Sequence, residues 1–293
     1  MSRRIIKVID LSEWTEAVPV ANAECMVAQG VEGIILQAYG SGPEPGRRNE
    51  YFHQALDAFR VSGVKYFDPY VWAPSDWQAA SDWIGDYRRF CAGAMYLDVE
   101  SGAGVDDGIV AGVKAAGWEP RIYASPSSWA EIMGGTTRYS DLKLWLAKYL
   151  LRFQRPDGYY RPGFGVIFPE GALAGTAIGG WGIEDLVGWQ TTGTVPDFCN
   201  ESVDTSVFFE DAFILGEEDM KPYLIAEAGA PYVYITDGVN RSYLRDMAHA
   251  DALGIPRDVK VVPAGTLASV ARLDNISIAA PAVYTITGSA RPG

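Results

Sequence analysis

Short apolar runs rich in β-branched residues recur along the first two thirds of the chain, and helical patterns separate most of those in its first half. The runs predict strands, and the spacing of Phe52, Leu56 and Phe59 on one face predicts a helix. Near-continuous apolar strands indicate burial on both faces and therefore a parallel sheet. The predicted strands are 5–12, 33–40, 64–73, 93–100, 120–125, 142–149, 186–192 and 202–209, and the predicted helices are 49–63, 75–90, 105–116 and a short one capped by Ser125.

Eight strands over about 210 residues predict an α/β fold, an irregular (β/α)8-type barrel. The irregularity is expected late in the chain, where helices are missing between strands. A doubly wound open sheet is the alternative. Residues 150–184 are rich in Gly and Pro, which predicts a structured excursion at the barrel mouth.

The composition changes after residue 215. Short strand-like pieces then follow one another, with one helical piece at 242–254. We therefore expect two domains, a barrel at 1–215 and a small β-rich C-terminal appendage at 216–293.

The charge balance narrows the classes of partner. The 37 acidic and 24 basic residues give a formal net charge of −13. Nucleic acid is not expected as a partner, because phosphate binding needs basic stripes and none is visible. Nor is a membrane, because no apolar run approaches the roughly 20 residues of a membrane span.

The three cysteines, Cys25, Cys91 and Cys199, are an odd number without C-x-x-C spacing. This pattern predicts buried thiols in a protein made in a reducing compartment. The opening MSRRIIKVIDLSEW has a basic pair but no apolar core or cleavage site, so no signal peptide is expected.

Acidic residues occupy the ends of several predicted strands. Side chains at i and i+2 of a strand share one face, so Asp98 and Glu100 can point into one cavity. In a barrel, chemistry is expected at the carboxyl ends of the strands. A cluster of this kind suggests either a divalent metal cage or glycoside hydrolysis, in which one carboxyl is kept protonated as a general acid. The candidate catalytic residues are Asp10, Asp98, Glu100 and Asp204.

Aromatic residues on or near the same strands favour a sugar-binding site, since sugars bind on aromatic faces. The chain has only two histidines, His53 and His249, which argues against zinc sites and histidine-dependent triads. Packing in the core is the alternative role for Trp145 and Trp189, and helix capping is the alternative for Asp10. The candidate aromatic binding residues are Tyr70, Trp72, Tyr123, Trp145, Tyr149 and Trp189.

Seven blocks, in the same order, resemble the glycoside hydrolase family 25 lysozymes. They are VIDLSEW, NEYFHQALDAFRVSGVKYFDPYVWA, YLDVE, PRIYASPSSW, LWLAKY, VGWQTTG and SVDTSVF, over about residues 5–213. The resemblance implies N-acetylmuramidase activity on peptidoglycan glycan strands, with no metal and no cofactor. By motif position, Glu100 would be the general acid, and Asp98 would assist it or orient the substrate N-acetyl group. Asp10 and Asp204 would complete the acidic groove, and Gln190 is predicted to bind substrate.

Some positions depart from the family pattern. Asn49 stands where the family has Asp, YVW replaces Y-H-F, and V-D-T-S replaces the commoner V-D-x-N. The 150–184 segment is also longer than usual. These departures concern the substrate range more than the reaction.

Residues 233–254, VYITDGVNRSYLRDMAHADALG, are similar to tails of actinobacteriophage lysins and virion proteins. This resemblance implies an endolysin that leaves the host cytoplasm through a holin-made hole and reaches the cell wall, or a lysin carried in the virion tail. Residues 216–293 would then bind the wall or attach to other tail proteins. The alternative is a tail or baseplate protein whose barrel binds glycan without cutting it. A purely structural role gives no reason to cluster costly acids, which favours the enzyme.

Overall fold

The computed structural model describes residues 3–41, 44–100 and 104–213, together with seven short strands after residue 222. The chain divides into two compact units, Met1–Ile214 and Leu215–Gly293. Among the described residues, no helix is long and apolar enough to cross a membrane.

The described part of the first unit contains nine strands and six α-helices. The strands are β1 (Ile5–Leu11), β2 (Val31–Ser41), β3 (Glu44–Arg48), β4 (Tyr66–Val71), β5 (Ala94–Val99), β6 (Glu119–Ala124), β7 (Lys143–Ala147), β8 (Leu186–Phe198) and β9 (Glu201–Phe209). The helices are α1 (Val20–Ala28), α2 (Phe52–Val61), α3 (Trp77–Ile84), α4 (Asp107–Ala115), α5 (Pro126–Met133) and α6 (Glu170–Leu173).

Eight of these strands close into a barrel. Their order is β1-β9-β8-β7-β6-β5-β4-β2, and β2 pairs with β1 to close the ring, while β3 extends β2 as a hairpin. The closure confirms the predicted irregular barrel and excludes the open doubly wound sheet. The irregularity lies in β9, which runs antiparallel to both neighbours because it follows β8 through a tight hairpin.

Successive side chains along each strand point alternately into the barrel and away from it, which produces an inner and an outer apolar layer. On β9, Phe208 points into the barrel with Tyr96 and Trp145, whereas Val207 and Phe209 belong to the outer layer. The outer layer packs beneath the helices and connections. Because each strand is buried on both sides, its polar residues are confined to the barrel ends and to a few interior positions.

Local signals explain most helix boundaries. Ser125 caps α5 and exchanges hydrogen bonds with Ser128, and Pro126 occupies the first turn, as the sequence predicts. The single helix predicted over 75–90 is instead α3 flanked by 3₁₀ turns, because Gly85 adopts φ +51° directly after Ile84. Helix α1 was not predicted from the sequence. It buries only Ala23 and Met26, so its apolar residues form no clear helical pattern.

The 150–184 excursion covers the outside of β8 and β9 rather than the barrel mouth alone. Gly163 N donates to Thr205 Oγ1 at 2.9 Å, and the rings of Phe168 and Phe209 lie 4.6 Å apart. A tight hairpin leaves no helix between β8 and β9, so their outward apolar side chains need another cover. The excursion provides it, which corrects the predicted position.

A disulfide joins Cys25 on α1 to Cys199 in the β8–β9 turn, and Cys91 is free. The expectation of three thiols is therefore wrong. The two sulfurs are 174 residues apart in sequence, and only closure of the barrel brings α1 beside the hairpin. Nearby, Asn22 Nδ2 donates to Glu201 Oε1 at 2.7 Å, which adds a second link between the same elements.

The second unit is described only through its strands. Five of them form one mixed sheet in the order β13-β10-β11-β12-β14, and β15 and β16 form a separate antiparallel pair. In the predicted helical piece 242–254, the first two residues belong to β12, and the rest lie outside the described residues. The strands are β10 (Tyr223–Glu227), β11 (Val233–Thr236), β12 (Asn240–Tyr243), β13 (Val259–Val262), β14 (Ala271–Arg272), β15 (Asn275–Ala279) and β16 (Val283–Thr287).

Candidate active site

The four predicted acidic residues meet at one end of the barrel. Asp10 lies near the carboxyl end of β1, and Asp98 and Glu100 lie at the carboxyl end of β5. Asp204 lies near the beginning of β9, not its end, and it arrives at the same mouth because β9 is antiparallel. Asp10 and Asp204 are direct register partners, which places their side chains side by side.

A cavity of about 370 Å³ opens at this mouth. All four acids line it, together with six of the seven residues predicted to bind substrate. Those six residues are Tyr70, Trp72, Tyr123, Trp145, Tyr149 and Gln190.

Trp189 is the predicted binding residue that the cavity excludes. It is 2% exposed, belongs to the outer apolar layer, and donates through Nε1 to Lys148 O at 2.8 Å. Its neighbour Gln190 points the other way, into the mouth. Successive side chains of a strand face opposite sides, so only one of the two can line the cavity.

Six further residues line the cavity that the sequence interpretation did not single out. Trp14 is the most conspicuous, because 76% of this large side chain is exposed beside an acidic cavity. Its position in the VIDLSEW block was the available signal. The others have small or amide side chains without a distinctive sequence signal. The six residues are Ser12, Trp14, Thr15, Gln37, Thr194 and Ser202.

Two glycines allow aromatic side chains to lie close to the backbone at the cavity rim. Gly40 adopts φ +81°, and a Cβ there would lie 3.0 Å from Trp72 Cβ. A Cβ at Gly193 would likewise lie 3.0 Å from the ring of Tyr149. Larger residues at either position would displace a ring that lines the site.

Asn49, a departure from the family pattern, supports the site from behind. It is 4% exposed, and its side chain donates to Gln37 O at 2.9 Å while accepting from Tyr51 N. Its backbone oxygen accepts from Trp83 Nε1 at 3.1 Å. Asn49 therefore holds β2 against the start of α2 and does not line the cavity.

The side chain of Gln190 on β8 connects Asp10 on β1 with Asp204 on β9. Its Nε2 donates to Asp10 Oδ1 and to Asp204 Oδ2, both at 3.0 Å. Its Oε1 accepts from Tyr123 Oη at 2.5 Å, and Tyr123 Oη also lies 3.3 Å from Glu100 Oε1. The Gln190 amide thus links Asp10 to Asp204 and, through Tyr123, reaches Glu100.

Burial raises the pKa of every acid in the cluster. For Asp10, burial raises the pKa and the charge of Asp204 raises it further, although hydrogen bonds from Gln190 and Ser206 lower it. For Asp98, burial and the charges of Glu100 and Asp10 raise the pKa well above its ordinary value. Burial, followed by the charge of Glu100, raises the pKa of Asp204 to about 7. The cluster therefore keeps protons at a pH where isolated carboxyls would lose them.

Unlike Asp10 and Asp98, which are buried, Glu100 is half-buried. Burial raises the pKa of its carboxyl, and the hydrogen bond with Tyr123 opposes that rise. Asp98, in contrast, is 2% exposed, and its Oδ1 has no hydrogen-bond partner within the described part of the chain. The pair thus combines an accessible proton donor with a deeper, buried carboxyl.

The described residues contain no group of three or more His, Cys, Asp or Glu side chains arranged to hold a metal ion. The carboxyls at the mouth are instead spread around a cavity that aromatic rings also line. Such a cavity can bind a sugar and offer a proton to it.

We expect Asp204→Asn to stabilise the fold at alkaline pH. An acid whose pKa is raised in the folded state destabilises that state progressively as pH rises from about 4 to about 7, because the unfolded chain ionises first. Because solvent at the cavity mouth relieves part of the cost of burying the charge, the expected stabilisation is on the order of 1–2 kcal/mol. Thermal unfolding of the wild type and the variant at pH 8 and pH 4 measures this stabilisation.

The Asp204→Asn variant should therefore melt a few degrees higher than the wild type at pH 8, with the difference shrinking towards pH 4. Asp197→Asn, at an exposed position of the same hairpin, is the control and should show neither effect. A destabilised Asp204→Asn protein at pH 8 would mean that the carboxylate forms a structural interaction.

An irregular α/β barrel with clustered acids and aromatic rings at its mouth is the architecture of a glycoside hydrolase. Sequence comparison agrees. The chain is 28% identical over 157 residues to the probable GH family 25 lysozyme 4 of Dictyostelium discoideum, covering 48% of this chain and 70% of that protein. It is 27% identical over 161 residues to the probable GH family 25 lysozyme 2 of the same organism, covering 50% and 74%. The chain is thus a distant relative of family 25 lysozymes.

Comparison with solved structures finds chains of low similarity to this one. A muramidase from Acremonium alcalophilum aligns with a TM-score of 0.44 and 18% identity, over 70% of this chain and 93% of that one. A family 25 glycosyl hydrolase from Bacillus anthracis aligns with a TM-score of 0.44 and 14% identity, over 71% and 92%. No family model matches the sequence.

Proposed function

We propose that this protein is an N-acetylmuramidase that hydrolyses the β-1,4 bond between N-acetylmuramic acid and N-acetylglucosamine in peptidoglycan. One observation carries the proposal. The accessible Glu100 carboxyl, whose pKa is raised by burial, shares a cavity with three further acids and several aromatic rings. The relation to family 25 lysozymes supports the same substrate class.

Glu100 is the proposed general acid. As the bond between the anomeric carbon and the glycosidic oxygen breaks, its proton passes to that oxygen and the leaving sugar gains a hydroxyl. Water then adds to the anomeric carbon, and the proton it loses restores Glu100. The raised pKa favours the protonated form of Glu100 before the step, and the hydrogen bond with Tyr123 stabilises its carboxylate afterwards.

The other three acids act on the sugar that retains the anomeric carbon. Positive charge develops there in the transition state, and the nearby carboxyls of Asp10 and Asp204 stabilise it when ionised. Asp98 lines the cavity, and its carboxyl group can accept a hydrogen bond from the N–H of a 2-acetamido group. That contact would orient the acetamide beside the anomeric carbon.

The aromatic residues of the rim bind the apolar faces of the sugar rings. Tyr149 and Trp14 are exposed, whereas Tyr70, Tyr123 and Trp145 are buried in the wall and floor of the cavity. The exposed rings are therefore proposed as stacking surfaces. The buried rings shape the cavity and exclude water from the acids.

The direct test is digestion of purified peptidoglycan. The proposal expects new reducing ends on N-acetylmuramic acid, identified by mass spectrometry after borohydride reduction. Reducing ends on N-acetylglucosamine would instead indicate a glucosaminidase. No new ends on several wall types, from a folded protein, would contradict hydrolysis and favour a barrel that only binds glycan.

We also propose a bacteriophage source, with the second unit as a wall-binding or virion-attachment module. The support is the similarity of residues 233–254 to phage lysin and virion tails. The two routes to the wall differ in one observable. Immunogold labelling of purified virions detects a tail component, whereas a free endolysin appears only in the lysate.

A further inference from the structure

Residues 149–161, here called the arm, fold back on themselves at the rim of the cavity. Gln154 and Tyr160 pair as an isolated antiparallel bridge, and Arg161 N donates to Phe153 O at 2.9 Å. These two links join the two sides of the arm. The arm is therefore a defined hairpin-like structure within the 150–184 excursion and its approach.

The arm is attached directly to residues that line the cavity. Tyr149, its first residue, lines the cavity itself. The ring of Tyr160 lies 5.8 Å from the ring of Tyr149. Tyr160 N also donates at 3.1 Å to the backbone oxygen of Thr194, a second cavity residue. The arm thus extends the rim outwards on the side of β7 and the β8–β9 hairpin.

The charge of the arm is opposite to that of the chain. The arm has three arginines and one acidic residue, whereas the whole chain has 24 basic and 37 acidic residues. Arg152 Nη2 donates to Gly165 O at 3.1 Å, and Arg155 pairs with Asp157 at 2.6 Å. Arg161 is exposed, and its side chain has no hydrogen bond or ion pair with any described residue. Its guanidinium group is therefore available to an anion from outside.

Apolar side chains are exposed on the same arm. Leu151 is 75% exposed and Tyr159 is 49% exposed. An arginine binds a carboxylate through two parallel hydrogen bonds, and the exposed apolar groups can contact aliphatic side chains. This combination suits a short acidic peptide.

The substrate of the proposed reaction carries such a peptide. N-acetylmuramic acid is the sugar that keeps the anomeric carbon, so it occupies the cavity beside Asp10 and Asp204. Its lactyl group bears the peptide stem, which has free carboxylates. A stem of about four or five residues spans at most roughly 13–18 Å, which is enough to pass over Tyr149 and along the arm.

We propose that the arm binds the peptide stem of the muramic acid residue in the cavity, and that Arg161 recognises a carboxylate of that stem. The inference rests on the proposed muramidase function and adds a preference for glycan strands that bear stems. The stem is remote from the breaking bond, so its binding stabilises the ground state and the transition state alike. The preference should therefore appear in KM and not in kcat.

Two forms of one substrate test the proposal. One is an uncrosslinked glycan strand with its stems, and the other is the same strand after an amidase has removed them. The wild type is expected to have the higher kcat/KM on the stem-bearing form. Arg161→Glu should lower that kcat/KM at least about tenfold, through KM, because it replaces attraction by repulsion. On stripped strands its kcat/KM should stay within about twofold of the wild type.

Two further variants separate charge at this position from charge in general. Arg161→Lys keeps the positive charge and should keep most of the preference. Lys114→Glu makes the same change of charge at an exposed position near the end of α4, just before β6 begins and away from the cavity. It should change neither rate. Raising the ionic strength should reduce the preference of the wild type, because salt screens exposed charges.

Equal losses of Arg161→Glu on both forms, or no loss on either, would overturn recognition of the stem by the arm. A wild-type protein that cleaves both forms equally well would overturn it too. A wild-type protein that cleaves neither form would instead refute the muramidase function itself. Thermal midpoints within about 2 °C of the wild type confirm that each variant is folded.

Discussion

Replacing Glu100 with glutamine should remove nearly all glycan hydrolysis while leaving the protein folded. General acid catalysis contributes about 10²–10⁴-fold, and the amide of glutamine has no proton acidic enough to transfer to the glycosidic oxygen. The side chain keeps its size and can still accept the hydrogen bond from Tyr123. Release of reducing ends from glycan strands, followed over time, measures the loss.

The same substitution should leave the thermal midpoint unchanged or raise it. It removes a carboxyl group whose ionised form raises the pKa values of Asp98 and Asp204, and thus relieves repulsion in the cluster at any pH where Glu100 would ionise. Glu131→Gln, on the exposed surface of α5, is the matched control and should retain full activity. A large drop in the midpoint of Glu100→Gln would identify Glu100 as a structural residue and leave the acid unassigned.

Loss of the Cys25–Cys199 disulfide should produce the largest change in stability. The bridge closes a segment of 174 residues, and a loop of this length loses enough entropy in the unfolded state for about 4–5 kcal/mol. Strain and residual structure reduce such values, so Cys25→Ser with Cys199→Ser should cost about 3 kcal/mol, or a midpoint near 10 °C lower. Calorimetry of the double variant measures it.

Chemical reduction gives an independent check of the disulfide. A thiol reductant should lower the midpoint of the wild type to that of the double variant and should leave the double variant unchanged. Cys91→Ala, which removes the free cysteine, should remain close to the wild type under both conditions. Three titratable thiols in the non-reduced wild-type protein would contradict the bridge.

The disulfide also bears on the site, because the hairpin that it anchors carries several cavity residues. Asp204 and Ser202 follow the bridged turn on β9, and Thr194 precedes it on β8. Three residues of the turn, Asp197, Cys199 and Asn200, adopt positive φ angles without being glycine. The bridge and the Asn22–Glu201 hydrogen bond hold this turn against α1. We therefore expect activity to fall with reduction at temperatures below the unfolding transition.

Local chemistry was enough to predict most of the barrel. Apolar runs located eight of its strands, and Ser125 with Pro126 located the start of α5. Elements without an apolar run or a capping residue could not be predicted in this way. Strand β3 has the sequence EPGRR, and it forms only because it pairs with the edge of β2. The excursion at 150–184 was recognised by its composition, but its place outside β8 and β9 depended on strand order.

Part of the candidate site could be predicted from the type of residue and its position on a predicted strand. Asp10, Asp98 and Glu100 follow apolar strands, and the two-residue repeat of a strand puts Asp98 and Glu100 on one face. The same repeat should have separated Trp189 from Gln190, but a side chain's orientation also depends on register and bulges. Trp14 was missed although it stands in the VIDLSEW block, because only the structure shows that a cavity lies beside this exposed side chain.

The sequence by itself determined the strands, the acidic and aromatic side chains that follow them, and the relation to family 25 lysozymes, because these depend on neighbouring residues. Only the tertiary structure decided the direction of β9, the pairing of Cys25 with Cys199, and the link from Gln190 to Asp10 and Asp204. Each of these joins residues far apart in the chain. Closing the barrel creates those contacts, and burial at its mouth then raises the pKa values of the acids it brings together.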